Sequence, residues 1–217
     1  GVYWNTRGAP ESGSAKRRKR ENHLYRLKPS VVAAIHRDYH WSIAMSQSIL
    51  NGKRILAVDD EADVLESLED LLYGYPGLIL DQASDYDTGY HLLRSWTYDA
   101  VILDIMGVRG YDLLNAAVHL GFPTVMLTAY AFTVDDLKRS ITMGAKAYIP
   151  KEHMTDIPEF LEDVITLGHR SNLKKMFQRL GGIFNKRFGS RWMEDEKTFW
   201  DQVASGEYRP EPVILKK

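Results

Sequence analysis

Arg54-Ile55-Leu56-Ala57-Val58-Asp59-Asp60-Glu61 decides the fold, because an apolar run stops abruptly at three acids. A strand without polar alternation is covered on both faces, as in the parallel sheet of an α/β protein. Directly beyond it, Val64, Leu65, Leu68, Leu71 and Leu72 recur at helical spacing and complete one βα unit. The rhythm then repeats. Leu78-Ile79-Leu80 precedes a helical stretch over 85–95, and Ala100-Val101-Ile102-Leu103 precedes one over 110–120. Thr124-Val125-Met126-Leu127 precedes 133–143, and Ala147-Tyr148-Ile149 precedes a helix beginning near 156. Five such units with short connections imply right-handed crossovers and a doubly wound parallel sheet.

The 217 residues allow one domain with long extensions or two small ones, at roughly 150 residues per domain. With 44% hydrophobic and 26% charged residues, the composition suits a packed core rather than wholesale disorder. The absence of cysteine excludes disulfide frameworks, thiolate nucleophiles and Cys-type zinc sites. No apolar run approaches the roughly 18 residues needed to span a bilayer, and the expected location is cytoplasmic. The net charge of −1 conceals an asymmetry. Lys and Arg outnumber Asp and Glu nine to three over 1–44, fall behind eight to sixteen over 45–152, and stand at eleven to ten over 153–217. The chain divides accordingly into a basic arm (1–44), an acidic α/β domain (45–168) and an amphipathic C-terminal extension (169–217).

In doubly wound folds, ligands gather beyond the C-terminal ends of the strands. Those positions hold Asp59, Asp60 and Glu61 after the first strand and Asp104 after the third. Thr128 follows the fourth strand and Lys151 the fifth. Any one of these has a plain explanation: a helix cap for Asp59 or Asp60, packing for Thr128, an exposed charge for Lys151. Together they form three acids, a hydroxyl and an ammonium on one edge. Carboxylates held close repel one another unless a cation neutralises them, and a small all-oxygen set suits Mg²⁺.

On these residues the segment from about 52 to 168 resembles a response-regulator receiver domain, the phosphoacceptor module of two-component signalling. The resemblance implies a flavodoxin-like sheet of order 2-1-3-4-5. It implies that Asp104, in Val101-Ile102-Leu103-Asp104-Ile105-Met106, is the phosphorylated aspartate. Asp59 and Asp60 then correspond to the Mg²⁺-binding acids, with Asp104 and the backbone carbonyl of Met106 completing the metal ligands. Thr128, followed by Ala129, corresponds to the switch hydroxyl, Lys151 to the phosphate-pairing lysine, and Tyr148 to the aromatic that turns inward on activation. Tyr130 and Met106 occupy positions that in the family tune dephosphorylation. Two features depart from the pattern: the loop Ile105-Met106-Gly107-Val108-Arg109-Gly110 is short and lacks its usual proline, and Pro150 precedes Lys151 rather than following it. An aspartate-nucleophile phosphohydrolase requires a second aspartate two residues after the first, where Met106 stands.

The resemblance implies a histidine kinase or phosphotransfer protein as donor and a downstream protein as reader. The alternatives are an unphosphorylated interaction module, or a nucleic-acid-binding regulator acting through the basic arm or tail, although nucleic acid is not the expected partner. Lys16-Arg17-Arg18-Lys19-Arg20 has no helical or strand period, so residues 1–44 are expected to be disordered, or to lie upstream of a start at Met45. Leu173, Met176, Phe177, Leu180, Ile183, Phe184 and Phe188 form an apolar stripe among basic residues. The helix they define, weakened at Gly181-Gly182, is expected to extend the fifth helix of the domain. Its stripe is expected to pack on the receiver or on a second copy, or else to dock on a downstream partner or an anionic membrane surface. Trp192, Phe199 and Trp200 form a further aromatic group without an evident partner.

Overall fold

The computed structural model describes residues 47–129, 133–167 and 169–209. The expectations for residues 1–44, for a start at Met45 and for Tyr130 lie outside them. Five strands form one parallel sheet in the order β2-β1-β3-β4-β5: β1 Arg54–Val58, β2 Ile79–Ala83, β3 Ala100–Asp104, β4 Thr124–Thr128 and β5 Ala147–Pro150. The helices are α1 Ala62–Leu72, α2 Tyr86–Ser95, α3 Gly110–His119, α4 Val134–Thr142 and α5 Ile157–Thr166, with α6 His169–Phe188 and α7 Lys197–Ser205 in the extension. A 3-10 turn, Lys151–Asp156, joins β5 to α5.

The central strands β3 and β4 are buried at every residue, the environment that their unalternating sequence requires. β2 runs further than its apolar residues, through Asp81 and Gln82 to Ala83. As an edge strand it does not need two apolar faces. Arg54 pairs with Asp81 and lies 4.0 Å from the centroid of the Trp96 ring, closing that side of the sheet. Local chemistry sets the helix starts. Asp85 accepts a hydrogen bond from the Thr88 N–H at 2.8 Å, and Thr133 and Asp136 form a reciprocal capping box.

The extension departs from expectation. Rather than prolonging α5, the chain breaks at Leu167, whose backbone is extended, and α6 turns back to pack beside β5. Gly181 and Gly182 do not interrupt α6, which runs unbroken for 20 residues. Its buried stripe of Leu173, Met176, Phe177, Leu180 and Phe184 offsets the cost of two glycines. The unassigned aromatic group proves to be the other half of this stripe. Trp192 stacks on Phe177 at 6.2 Å and meets Trp200 edge-on at 4.7 Å. The Trp192 indole N–H donates to Asn185 Oδ1 at 2.8 Å.

Candidate functional site

Strand register brings the chemistry to one edge. Val58 pairs with Leu103, Asp104 with Leu127, and Thr128 with Pro150, so the residues at and just beyond these positions share the C-terminal rim of the sheet. Asp59, Asp60 and Asp104 each present an oxygen there, and the three atoms lie within 4.8 Å of one another. Asp59 and Asp104 are buried, while Asp60 opens the cluster to solvent.

Lys151 completes the basin. Leaving β5 through Pro150, it places its ammonium 2.8 Å from Asp59 Oδ2, 2.9 Å from Asp104 Oδ1 and 2.7 Å from Glu61 Oε1. The proline before it therefore does not keep it from the acids. Asp104 is held from its other side. Its Oδ2 accepts the Met106 N–H at 2.8 Å and the Gly107 N–H at 2.9 Å, which orients the carboxylate and leaves Oδ1 toward Lys151. The short loop makes this possible through its glycine. A Cβ on Gly107 would stand 1.8 Å from Asp60 Oδ1, so any other residue there would push that carboxylate out of its present place.

Neither Asp59 nor Asp60 is a helix cap. The N-cap of α1 is Glu61, without a side-chain cap bond, and Asp59 Oδ1 accepts the Glu61 N–H at 3.0 Å. Glu61 itself points outward and pairs with Lys151 rather than joining the three clustered oxygens. The Met106 side chain is 78% exposed, and the loop N–H groups of Met106 and Gly107 make contacts to Asp104 that side-chain identity did not reveal. A loop glycine three residues after Asp104 was the one sequence signal for them.

The electrostatics agree with this geometry. Burial pushes the Asp59 carboxyl above the usual aspartate range, and the adjacent Asp104 charge adds to that, against the pull of Lys151 and the Glu61 N–H. Burial works against the Lys151 ammonium, but hydrogen bonds to Asp59, Glu61 and Asp104 outweigh it and hold the lysine charged. Three carboxylates thus share one ammonium, and Asp59 is costly to ionise. A divalent cation relieves both conditions, and hard carboxylate oxygens with one open side are what Mg²⁺ accepts. The residues present fit such an ion.

Thr128 is buried at the rim, and its hydroxyl lies 3.4 Å from the Ala129 carbonyl. Tyr148 pairs in register with Met126, so its side chain shares a face with Thr128, one diagonal step away. The sequence left Tyr148 as a half-buried ring, or one that moves inward on activation. It is already fully buried. Burial pushes its phenol far up.

Comparison with known proteins yields the same assignment. Residues 55–162 match the family model of the response regulator receiver domain. The probable transcriptional regulatory protein SilR of Salmonella typhimurium is 35% identical over 123 residues, which cover 55% of this chain and 52% of that protein. The transcriptional regulatory protein DltR of Streptococcus agalactiae strain NEM316 is 33% identical over 135 residues, 60% of this chain and 58% of that one. The chain spans about half the length of the curated relatives it matches. Among solved structures, a CheY-like response regulator receiver domain protein from Methanospirillum hungatei JF-1 aligns with a TM-score of 0.44 and 27% identity, over 54% of this chain and 98% of that one. With the sheet order, the acidic rim and the matched segment in agreement, residues 55–162 of this chain are a response regulator receiver domain.

Proposed function

We propose that this chain is a two-component response regulator that takes a phosphoryl group onto Asp104 with Mg²⁺ and signals through a phosphorylation-dependent protein-binding face. The observation that supports this most directly is the buried Asp104 carboxylate, oriented by two backbone N–H groups and paired with Lys151, beside two further acids. The donor is a phosphohistidine on a histidine kinase or phosphotransfer protein. An Asp104 oxygen forms the new bond to phosphorus while the phosphorus–nitrogen bond breaks, and the leaving imidazole keeps the electron pair and takes a proton. Lys151 pairs with the phosphoryl oxygens as well as with the carboxylates. Asp59, Asp60, Asp104 and the Met106 carbonyl would hold Mg²⁺, which would supply charge neutralisation at the transferring group. Thr128 donates to the bound phosphoryl group, and Tyr148 carries that change to the face built by α4, β5 and α5.

Acetyl phosphate with Mg²⁺ should label the full chain with one hydroxylamine-sensitive phosphate, and Asp104→Asn should abolish the label. Label persisting in that variant refutes the assignment of Asp104. Among the described residues no helix is long and apolar enough to cross a membrane.

A further inference from the structure

The face proposed to carry the signal is covered by the chain's own C-terminal segment. β5 is an edge strand, and an edge strand exposes unpaired N–H groups unless something covers them. Here the Tyr148 N–H meets Met176 Sδ of α6 at 3.2 Å. On the α5 side, Lys175 pairs with Asp163 at 2.8 Å, and Arg179 reaches Asp163 at 3.2 Å and Glu159 at 3.3 Å. On the α4 side, Lys138 pairs with Glu196 just before α7 and lies 5.4 Å from the Phe199 ring centroid. The segment therefore touches all three elements of the face.

We propose that α6 and α7 form a lid on the α4–β5–α5 face, and that phosphorylation of Asp104 opens it, uncovering the β5 edge for a partner protein. This rests on Asp104 being the phosphoacceptor. The path begins at Tyr148, whose side chain shares a sheet face with Thr128 and whose backbone N–H meets Met176. A phosphoryl group at the rim draws the Thr128 hydroxyl toward it and opens space on the sheet face that Thr128 shares with the fully buried Tyr148. A shift of the ring into that space moves β5 against Met176 and loosens the elements packed over it. The lid is the element free to move. Its polar contacts with α4 and α5 are partly exposed ion pairs, which are individually weak, while Leu173, Met176 and Leu180 join the core cluster of the receiver. Its own aromatic core, Phe177, Phe184, Trp192 and Trp200, is drawn from within the extension and travels with it.

Hydrogen exchange of the full chain, measured with and without beryllofluoride plus Mg²⁺, tests this while the fluorine NMR signal of the bound analogue reports occupancy. Bound analogue should accelerate exchange in β5 and across 171–188 about tenfold, within the usual range of coupling between sites. Bound analogue with unchanged exchange overturns the lid and leaves the phosphoacceptor standing. Absence of a bound signal overturns the phosphoacceptor reading and the lid with it. A second measurement needs no analogue: Lys138→Glu should raise basal exchange in the same segments, and adding Glu196→Lys should restore it. Basal exchange that ignores the charge reversal counts against the lid.

Discussion

In the acidic basin, Asp59 and Asp104 are buried against Lys151, and Asp60 stands close by. In the extension, Phe177, Phe184, Trp192 and Trp200 are buried against one another, with ring centroids 4.7–6.2 Å apart. Both regions exclude water, but the free energies differ in kind. Each charge in the basin is tolerable only while its partner is present, so removing one atom group changes the state of the others. The aromatic cluster is additive in volume and area, so truncation costs roughly what the lost side chain contributed. A receiver can build chemistry into the first kind of region because a new ligand re-partners the charges.

The largest expected effect tests whether the two regions are separable. Trp200→Ala should cost about 3–5 kcal/mol, the usual price of truncating a buried tryptophan. Calorimetry should show the loss as a lower midpoint, with Mg²⁺ affinity unchanged. A matching fall in Mg²⁺ affinity would mean that the aromatic core supports the basin directly.

Lys151→Ala should cost about 3 kcal/mol, the lower end for breaking a buried pair, because the side chain is 13% exposed. At about 2–4 °C per kcal/mol, a lowered melting midpoint follows, and Mg²⁺ should recover more of it in the variant than in the parent. Equal Mg²⁺ responses would argue against the cation and the ammonium compensating the same acids.

Asp59 sharpens the contrast through pH. Its folded pKa is raised by burial, so the fold favours its protonated form, and that contribution to stability is lost as pH rises through the folded value. Mg²⁺ requires the ionised form. Mg²⁺ affinity should therefore begin to fall, on acidification, at a higher pH than an ordinary aspartate dictates, and Asp59→Asn should remove that step. A calorimetric titration series across pH reads both.

The smallest effect lies in the extension. A Cβ on Gly182 meets nothing within 4 Å, so Gly182→Ala should stabilise the protein by about 0.5–1 kcal/mol through helix propensity alone. Destabilisation would show that α6 needs the glycine for an approach by something else.

Much of the receiver was legible in the chain. The apolar runs at 54–58, 100–103 and 124–127 read as strands because central strands of a parallel sheet need apolar residues on both faces. The acids, Thr128 and Lys151 read as one site because every strand of such a sheet ends on the same side. β2 was read short, since Asp81 and Gln82 are tolerable only at a sheet edge and edge position is not written in local composition. Tyr148 was left open for a related reason: a ring on an edge strand is half-covered until another element packs against it, and Met176 belongs to a helix far along the chain.

The sequence by itself determined the βα rhythm, the class of sheet and the identity of the groups at its rim, because periodicity and strand direction are local properties that add up along the chain. Only the tertiary structure decided that Lys151 reaches Asp59, Asp104 and Glu61 together, that Gly107 closes over Asp60, and that α6 turns back at Leu167 to cover β5. Those facts depend on distances between residues far apart in sequence, and the burial of each side chain depends on elements whose positions no local pattern encodes.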